Sequence, residues 1–475
     1  MSNNSTLQTL DWLATEDEGT HREHFGLALV WSLEEPGRLG EVVLPTSPQI
    51  LGREKRGPGR CVLLQMRPGR TVPTGPLGGR TISRDQLAIA PERGGLSVRN
   101  IGRGTLLVNG VEVESALVRA GDLVEIVRKA IFLIVRRPPR LPPAPNATTS
   151  DPFGLPDRSG IVGESPATWR LRESLAFAGP RDAHTLLLGD SGTGKELAAR
   201  ALHSGSPRAD SALVSRSAAT LPEGLIDAEL FGNAQNYPNP GMPERPGLVG
   251  AADGGSLFLD EIGELSHSMQ ARLLRVLDSD GEYQRLGEAG VRRSDLRLIA
   301  ATNRSPEALK HDLNARFRLQ LSLPPLQARR EDIPLLAYHL LRSACQAPDL
   351  AERFMGEGGF ARVSPTLMFA LLRHEYTHHV RELDRILWAS LSSSPGRFLD
   401  LTEDARARLI MAPSADSWRK WVGHSSTEIP ADALQSCLDD HNGSQQETWQ
   451  ALGLESRYQL SRLIKKHGLT ISKVR

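Results

Sequence analysis

The chain has 475 residues, enough at roughly 150 per domain for about three domains, and its 39% hydrophobic and 24% charged residues are ordinary for a globular protein. The 57 Lys and Arg residues nearly balance the 56 Asp and Glu residues, which excludes a chain-wide attraction to nucleic acid or membrane. Any DNA-binding surface must therefore be local. The three cysteines are widely spaced, so we expect neither a disulfide framework nor a zinc cluster. No run approaches the roughly 20 apolar residues of a membrane span, and we therefore expect a cytoplasmic protein.

The first part of the chain has the pattern of a β protein. After an N-terminal extension over residues 1–25, short apolar stretches in 26–137 are separated by Gly and Pro clusters. Asn109-Gly110 suits a hairpin turn because both residues tolerate positive φ. We expect a β-sandwich here, followed by a proline-rich linker over residues 138–158.

Beyond the linker, apolar strands alternate with helical runs, which is typical of a parallel sheet flanked by helices. We expect a multidomain protein whose remaining parts are an α/β subdomain over 159–328, a helical lid over 329–395, a linker over 396–430, and an all-α helix-turn-helix domain over 431–475.

A glycine-rich segment between the apolar strand TLLL and a helix has the context of a phosphate-binding loop. Backbone N–H groups of such a loop converge on phosphate oxygens, and Lys195 would reach the β- and γ-phosphates. Glu196 stands where a simple P-loop has Ser or Thr; the competing interpretation is a plain strand-to-helix turn. The predicted ATP-binding residues of this loop are Gly189, Asp190, Ser191, Gly192, Thr193, Gly194, Lys195 and Glu196.

Two acids end the strand LFL, where open α/β sheets bind ligands. Asp260 would hold Mg²⁺ through water, and Glu261 would orient or deprotonate the attacking water. Helix capping is the alternative role for the pair. Asn303 follows the strand LRLIAA and could contact the γ-phosphate or merely form an Asn turn.

These segments, together with LPEGLIDAELFG and PPLQARREDI, resemble the AAA+ domain of bacterial enhancer-binding proteins, the sigma-54-dependent activators, over about residues 160–390. That family also carries Glu after the P-loop lysine. The resemblance makes Thr302-Asn303 a sensor I and Arg381 a sensor II arginine. It puts the two arginine-finger positions at Lys310 and Arg316, of which Arg316 is preferred because lysine lacks a planar fork. It also implies a homo-oligomer, from a dimer to a hexameric or heptameric ring.

The chain departs from the family pattern at two places. Ser217 stands where the family has an asparagine that restrains the catalytic glutamate. Residues 236–241, NYPNPG, replace the GAFTGA loop that contacts sigma-54, so that Pro238-Asn239 stand at the Phe-Thr contact pair. Either Tyr237 supplies a substitute aromatic contact, or the loop has lost or changed its target.

The order of Gly52-Arg53, Ser83-Arg84 and Asn109-Gly110 resembles a forkhead-associated domain, a phosphothreonine-peptide-binding module. The resemblance implies a phosphopeptide site formed by Arg53, Ser83, Arg84 and Asn109, with arginine and hydroxyl donors to phosphate. Gln86 and Gly104 depart from the family's histidine and asparagine. Intramolecular or purely structural docking is the alternative.

The last segment has two short helical runs joined at Gly453 and resembles the Fis-type DNA-binding domain. Trp449, Leu452, Leu454, Leu460 and Ile464 would form its core. The predicted DNA-contacting residues are Ser456, Arg457, Gln459, Arg462 and Lys465.

Together these features predict a transcription regulator that binds promoter or enhancer DNA, hydrolyses ATP with Mg²⁺, acts on an RNA polymerase sigma factor and responds to a phosphothreonine protein. The alternative is a DNA-binding regulator that uses ATP only for assembly and acts on another polymerase form, because the sigma-54-contacting loop is replaced.

Overall fold

The computed structural model describes residues 23–54, 57–222, 224–278, 280–409, 429, 431–440, 444–454, 456–467 and 469. Residues 1–22 of the predicted N-terminal extension and most of the predicted 396–430 linker lie outside these ranges. No helix in the described part is long and apolar enough to cross a bilayer.

The N-terminal region, here called the β domain (residues 24–137), folds as two antiparallel sheets. The strands are β1 (His24–Ser32), β2 (Val42–Val43), β3 (Gln49–Leu51), β4 (Leu63–Arg67), β5 (Arg70–Gly75), β6 (Leu87–Glu92), β7 (Gly95–Asn100), β8 (Leu106–Val108), β9 (Val111–Glu112), β10 (Ser115–Val118), β11 (Leu123–Ile126) and β12 (Ala130–Arg137). The larger sheet has the strand order β5-β4-β2-β1-β12-β11-β8-β9 and the smaller β10-β7-β6-β3, and both contribute side chains to one hydrophobic core.

The central α/β region is built on a parallel five-stranded sheet in the order β14-β15-β18-β13-β19. Its middle strands are buried apolar runs, as expected for a sheet covered on both faces. The elements are α1 (Pro166–Ala178), β13 (Thr185–Leu188), α2 (Lys195–Ser204), β14 (Leu213–Ser217), α3 (Ile226–Phe231), α4 (Gly247–Ala251), β15 (Ser256–Asp260), α5 (His267–Leu277), β16 (Glu282–Tyr283), β17 (Arg292–Arg293), β18 (Arg297–Thr302), α6 (His311–Asn314) and β19 (Leu319–Ser322).

The lid is helical, with α7 (Ile333–Ala344), α8 (Pro348–Phe354), α9 (Pro365–Arg373), α10 (His379–Ser393) and α11 (Glu403–Arg406). The C-terminal helices are α12 (Ala431–Asp440), α13 (Gln445–Ala451) and α14 (Arg457–His467), which pack around a small core of their own. Between β12 and α1 the chain forms no helix or strand.

The β domain and the lid share a single hydrophobic core, which joins strands β1 and β12 to helices α7 and α9. The indole of Trp31 donates a buried hydrogen bond of 2.8 Å to the carbonyl oxygen of Val363 in the lid. Arg137 Nη2 lies 2.8 Å from Glu331 Oε2, an ion-pair distance, with both side chains nearly buried. The two parts of the chain are therefore packed together as one body.

Candidate functional site

The loop between β13 and α2 owes its shape to two glycines with left-handed φ, Gly192 at 88° and Gly194 at 104°. A Cβ on Gly192 would lie 2.2 Å from the carbonyl oxygen of His378 in the lid. Only glycine allows this approach, because any side chain would collide with lid backbone. The loop is thus closed against the lid, and Val380 donates a backbone hydrogen bond to the Gly192 carbonyl at 3.2 Å.

Lys195, the first residue of α2, folds back over the loop. Its ammonium donates hydrogen bonds to the carbonyl oxygens of Gly189, at 2.7 Å, and Asp190, at 3.1 Å. Burial lowers the pKa of the Lys195 ammonium, while the carboxylates of Asp260 and Glu261 act in the opposite direction. The lysine and the two predicted acids are therefore electrostatic neighbours.

The two acids stand at the carboxyl end of β15. Glu261 has a φ of 54°, a left-handed conformation that is uncommon outside glycine and recurs at functional sites. Its backbone N–H donates to Asp260 Oδ1 at 3.0 Å. The Ser217 hydroxyl donates to Glu261 Oε2 at 3.3 Å, because Ser217 lies beside Asp260 in the parallel β14–β15 pair. Serine at this position therefore contacts the predicted catalytic glutamate.

Three lid-side residues contact the same loop. Arg381 Nη1 donates to Ser191 Oγ at 2.7 Å, and His379 Nε2 lies 3.2 Å from Asp190 Oδ2. Arg329, buried in the segment that leads into α7, donates from Nη2 to the carbonyl oxygen of Thr193 at 3.1 Å. Arg381 was expected from the sequence. His379 and Arg329 were missed, although His379 lies two residues before Arg381 and Arg329 lies in the segment PPLQARREDI.

Lys195, Asp260, Glu261, Arg329 and Arg381 line a cavity of about 390 Å³ between the α/β subdomain and the lid. The loop residues 191–196 also line it, and much of the remaining lining is apolar. The apolar lining includes Ile161, Val162, Leu171, Leu197, Leu336, Leu340 and Val380. A lining that combines a glycine loop and helix N-terminus with apolar side chains suits the phosphates and the base of a nucleotide.

Of the predicted nucleotide-site residues, Gly189, Asp190, Asn303 and Arg316 do not line this cavity. Asn303 is exposed just beyond β18, at the same edge of the sheet as the acids. Arg316 is half exposed and pairs with Asp278 at 2.6 Å, away from the chain's own cavity. Lys310, the other candidate finger, donates its backbone N–H to Gln270 at 2.9 Å.

Residues 161–324 match the family described as "Sigma-54 interaction domain". The chain is 34% identical over 311 residues to the transcriptional regulatory protein ZraR of Salmonella typhimurium, covering 64% of this chain and 68% of ZraR. The chain belongs to the sigma-54-dependent AAA+ transcription regulators. The Nif-specific regulatory protein of Klebsiella oxytoca, another family member, is 36% identical over 295 residues, which cover 59% of this chain and 54% of that protein. A solved structure of NtrX from Brucella abortus in complex with ADP overlaps 66% of this chain and 70% of its own at 26% identity, with a TM-score of 0.46.

In this family member the segment between α3 and α4 is a compact turn. The buried Asn233 donates from Nδ2 to the carbonyl oxygens of Ala234 and Pro243, both at 3.0 Å. Asn236 donates its backbone N–H to the Met242 carbonyl at 2.8 Å and accepts from the Gly241 N–H at 2.9 Å. Tyr237 is 40% exposed. The loop therefore presents one partly exposed aromatic side chain on a base closed by hydrogen bonds.

The predicted phosphopeptide residues are only partly brought together. Arg53 donates its backbone N–H to the Ser83 carbonyl at 3.1 Å, so the loops that carry Arg53, Ser83 and Arg84 are adjacent, with both arginine side chains exposed. Ser83 Oγ accepts from the backbone N–H of Arg103 at 3.1 Å, in the loop before β8. Asn109 follows β8 instead, and its side-chain amide donates to Asp122 at 2.8 Å.

The departures from the family pattern in this region have a structural explanation. Gln86 is buried and donates to Asn100 Oδ1 at 2.9 Å and to the Gly104 carbonyl at 3.2 Å. Asn100 also donates to the Gly104 carbonyl, at 2.8 Å. The glutamine therefore fixes the loop before β8 from inside the domain. Asn100 and Arg103 were not singled out from the sequence.

In the C-terminal region, α13 and α14 are joined by a turn with Gly453 at a φ of 68°. Of the predicted core, Leu452, Leu454 and Leu460 are buried, and Trp449 and Ile464 are partly buried against them. Among the predicted DNA contacts, exposed side chains are found at Arg457, Arg462 and Lys465, while Ser456 and Gln459 are half-buried. Arg457 also donates to Gln445 at 3.1 Å.

Proposed function

We propose that this chain is an ATP-hydrolysing regulator that remodels sigma-54 RNA polymerase, with the cavity beneath the lid as its ATP site. The observation that supports this most directly is the convergence of Lys195, Asp260, Glu261 and Arg381 on one cavity whose remaining lining is largely apolar. A chance glycine turn or a pair of capping acids would not require the other groups.

In the proposed site each side chain has a distinct task. Lys195 would exchange its two carbonyl partners for β- and γ-phosphate oxygens, and Arg381 would contact the phosphates from the lid. Asp260 offers the carboxylate oxygens that Mg²⁺ prefers, and the bound ion would neutralise charge on the phosphates. Glu261 would orient the attacking water, with the Ser217 hydroxyl holding its carboxylate until then.

Catalysis would also require a neighbouring subunit. Arg316 is half exposed and does not line the cavity of its own chain. An arginine that acts on the nucleotide of an adjacent subunit must meet both conditions. We therefore propose a homo-oligomeric ring, hexameric or heptameric, with Arg316 as the finger. Asn303, at the same sheet edge as Glu261, is the proposed sensor.

The family match favours a sigma-54 remodeller over a regulator that uses ATP only for assembly. We propose that Tyr237, exposed on its closed turn, serves in place of the family's phenylalanine.

The adjacent Arg53, Ser83 and Arg84 loops support a phosphothreonine-responsive β domain. The exposed Arg457, Arg462 and Lys465 support a DNA-binding role for α14, with Ser456 and Gln459 as further contacts.

The decisive experiment is a binding assay between sigma-54 and the full chain trapped with ADP and aluminium fluoride, a mimic of the hydrolysis transition state. We expect trapped wild-type protein to bind sigma-54 and not the housekeeping sigma factor. Tyr237→Ala should lose this binding while retaining ATP hydrolysis. Lys195→Ala, which removes the phosphate ligand, should neither trap nor bind.

Binding of the trapped protein to neither sigma factor would refute the remodelling function and restore the assembly-only alternative. Sigma-54 binding that Tyr237→Ala leaves intact would refute the aromatic contact alone. ATP affinity unchanged by Lys195→Ala would refute the nucleotide site itself.

A further inference from the structure

Asp384 is an acidic residue of the lid that faces the nucleotide cavity. It lies on α10 and lines the cavity together with Val380 and Arg381. Its carboxylate makes no hydrogen bond or ion pair with any residue in the described part of the chain. Burial raises the pKa of this carboxyl group, which indicates that the side chain is partly removed from water without a compensating partner.

The position of Asp384 along the cavity follows from α10. The first turn of this helix lies at the phosphate-binding loop, where His379 contacts Asp190 and Arg381 contacts Ser191. Residues three apart share a helix face, so Asp384 lies about 4.5 Å farther along the axis than Arg381 on the same side. The lid also contributes apolar side chains to the cavity lining, Leu336 and Leu340 on α7.

A nucleotide bound with its phosphates at residues 191–195 and its base between the apolar walls would put its ribose between the two. No residue in the described part of the chain pairs with the Asp384 carboxylate, so a hydrogen bond from the ligand would offset the cost of its partial burial. The ribose hydroxyls are ligand donors near that place, and a carboxylate is a common acceptor for them in nucleotide sites.

We propose that Asp384 accepts a hydrogen bond from a ribose hydroxyl and so makes the site selective for ribonucleotides over deoxyribonucleotides. This inference rests on the proposed function, since it requires ATP in this cavity. It assigns Asp384 a role in substrate specificity that is separate from the chemistry at the γ-phosphate.

The test compares the dissociation constants of ATP, 2′-deoxy-ATP and 3′-deoxy-ATP for the full-length wild-type protein and for Asp384→Ala. A hydrogen bond to a charged group predicts that the wild type binds ATP about tenfold more tightly than at least one deoxy analogue. In Asp384→Ala that ratio should fall to about one. The ratio is the informative quantity, because removal of a negative charge near the phosphates favours all three ligands alike.

Two further variants separate specificity from general damage to the lid. Glu352→Ala removes an exposed lid carboxylate that does not line the cavity and should keep the wild-type ratio. Arg381→Ala, one turn before Asp384, should weaken the binding of all three nucleotides by the same factor.

If wild-type protein binds ATP but the affinity ratios are the same in Asp384→Ala, the inference is wrong and the ATP site stands. If wild-type protein binds none of the nucleotides, the proposed function itself fails.

Discussion

The ion pair between the β domain and the lid makes a quantitative prediction. Arg137 is 2% and Glu331 11% exposed at the side chain, so Arg137→Met leaves a nearly buried carboxyl group without its cation. Burial raises the pKa of Glu331 and Arg137 lowers it, so loss of Arg137 should raise that pKa further. We expect the variant to lose about 3–5 kcal/mol of stability at neutral pH, the usual cost of breaking a buried pair.

The same reasoning fixes the pH dependence. Loss of Arg137 raises the folded-state pKa of Glu331 above its wild-type value, while the pKa in the unfolded chain, about 4.3, is unchanged. A carboxyl whose folded pKa is raised loses stability as the pH rises above the unfolded value, by at most about 1.4 kcal/mol per unit. The destabilisation of the variant relative to wild type should therefore be larger at pH 7 than at pH 5.

Urea-induced unfolding of wild-type and variant proteins, followed by circular dichroism at both pH values, measures this difference. The neighbouring Arg136 provides a matched control, because it pairs with Glu23 at 3.6 Å with both side chains about half exposed. Arg136→Met should cost less than about 1 kcal/mol at either pH. Equal losses for Arg136→Met and Arg137→Met, or a loss for Arg137→Met that is the same at pH 5 and pH 7, would refute the role assigned to the buried pair.

Three further predictions concern the binding surfaces. Gly192→Ala should weaken ATP binding at least about tenfold, measured by calorimetry. The Cβ of the alanine would meet the His378 carbonyl, and the left-handed φ at this position costs an alanine about 1–2 kcal/mol. Wild-type affinity in this variant would contradict the closed geometry of the loop and the lid. Arg53→Ala should cost about 1.5–3 kcal/mol in affinity for a phosphothreonine peptide, with the exposed Arg70→Ala as control, and unaltered binding would remove the phosphate site. Lys465→Ala should lower the salt dependence of DNA binding by about one unit of slope, and an unchanged slope would exclude a phosphate contact.

Much of the nucleotide site could be predicted because its residues follow from local rules. Lys195 begins a helix directly after a glycine loop, and Asp260 and Glu261 end a buried strand, so a parallel sheet puts all three at one edge. The sequence could not predict that Arg329 and His379 contact the loop, since these contacts depend on how the lid packs over it.

The β domain shows a similar limit. Gly52 and Ser83 could be assigned to neighbouring loops from their motif order, and the structure brings the Arg84 carbonyl within 2.1 Å of where a Cβ on Gly52 would stand. The place of Asn109 could not be assigned, because a hairpin signal does not tell which end of the sheets the turn occupies. Asn109 and Ser83 are associated with opposite ends of the short strand β8.

The shared core also bears on how such a chain could have been assembled from separate genes. The proline-rich segment looks like a point at which one sensory module could be exchanged for another. Yet the lid residues Val363, Met368 and Leu371 are covered by apolar side chains of the β domain, and a replacement module without a matching face would leave them in water. This lid and this β domain are consequently constrained to be inherited as a pair.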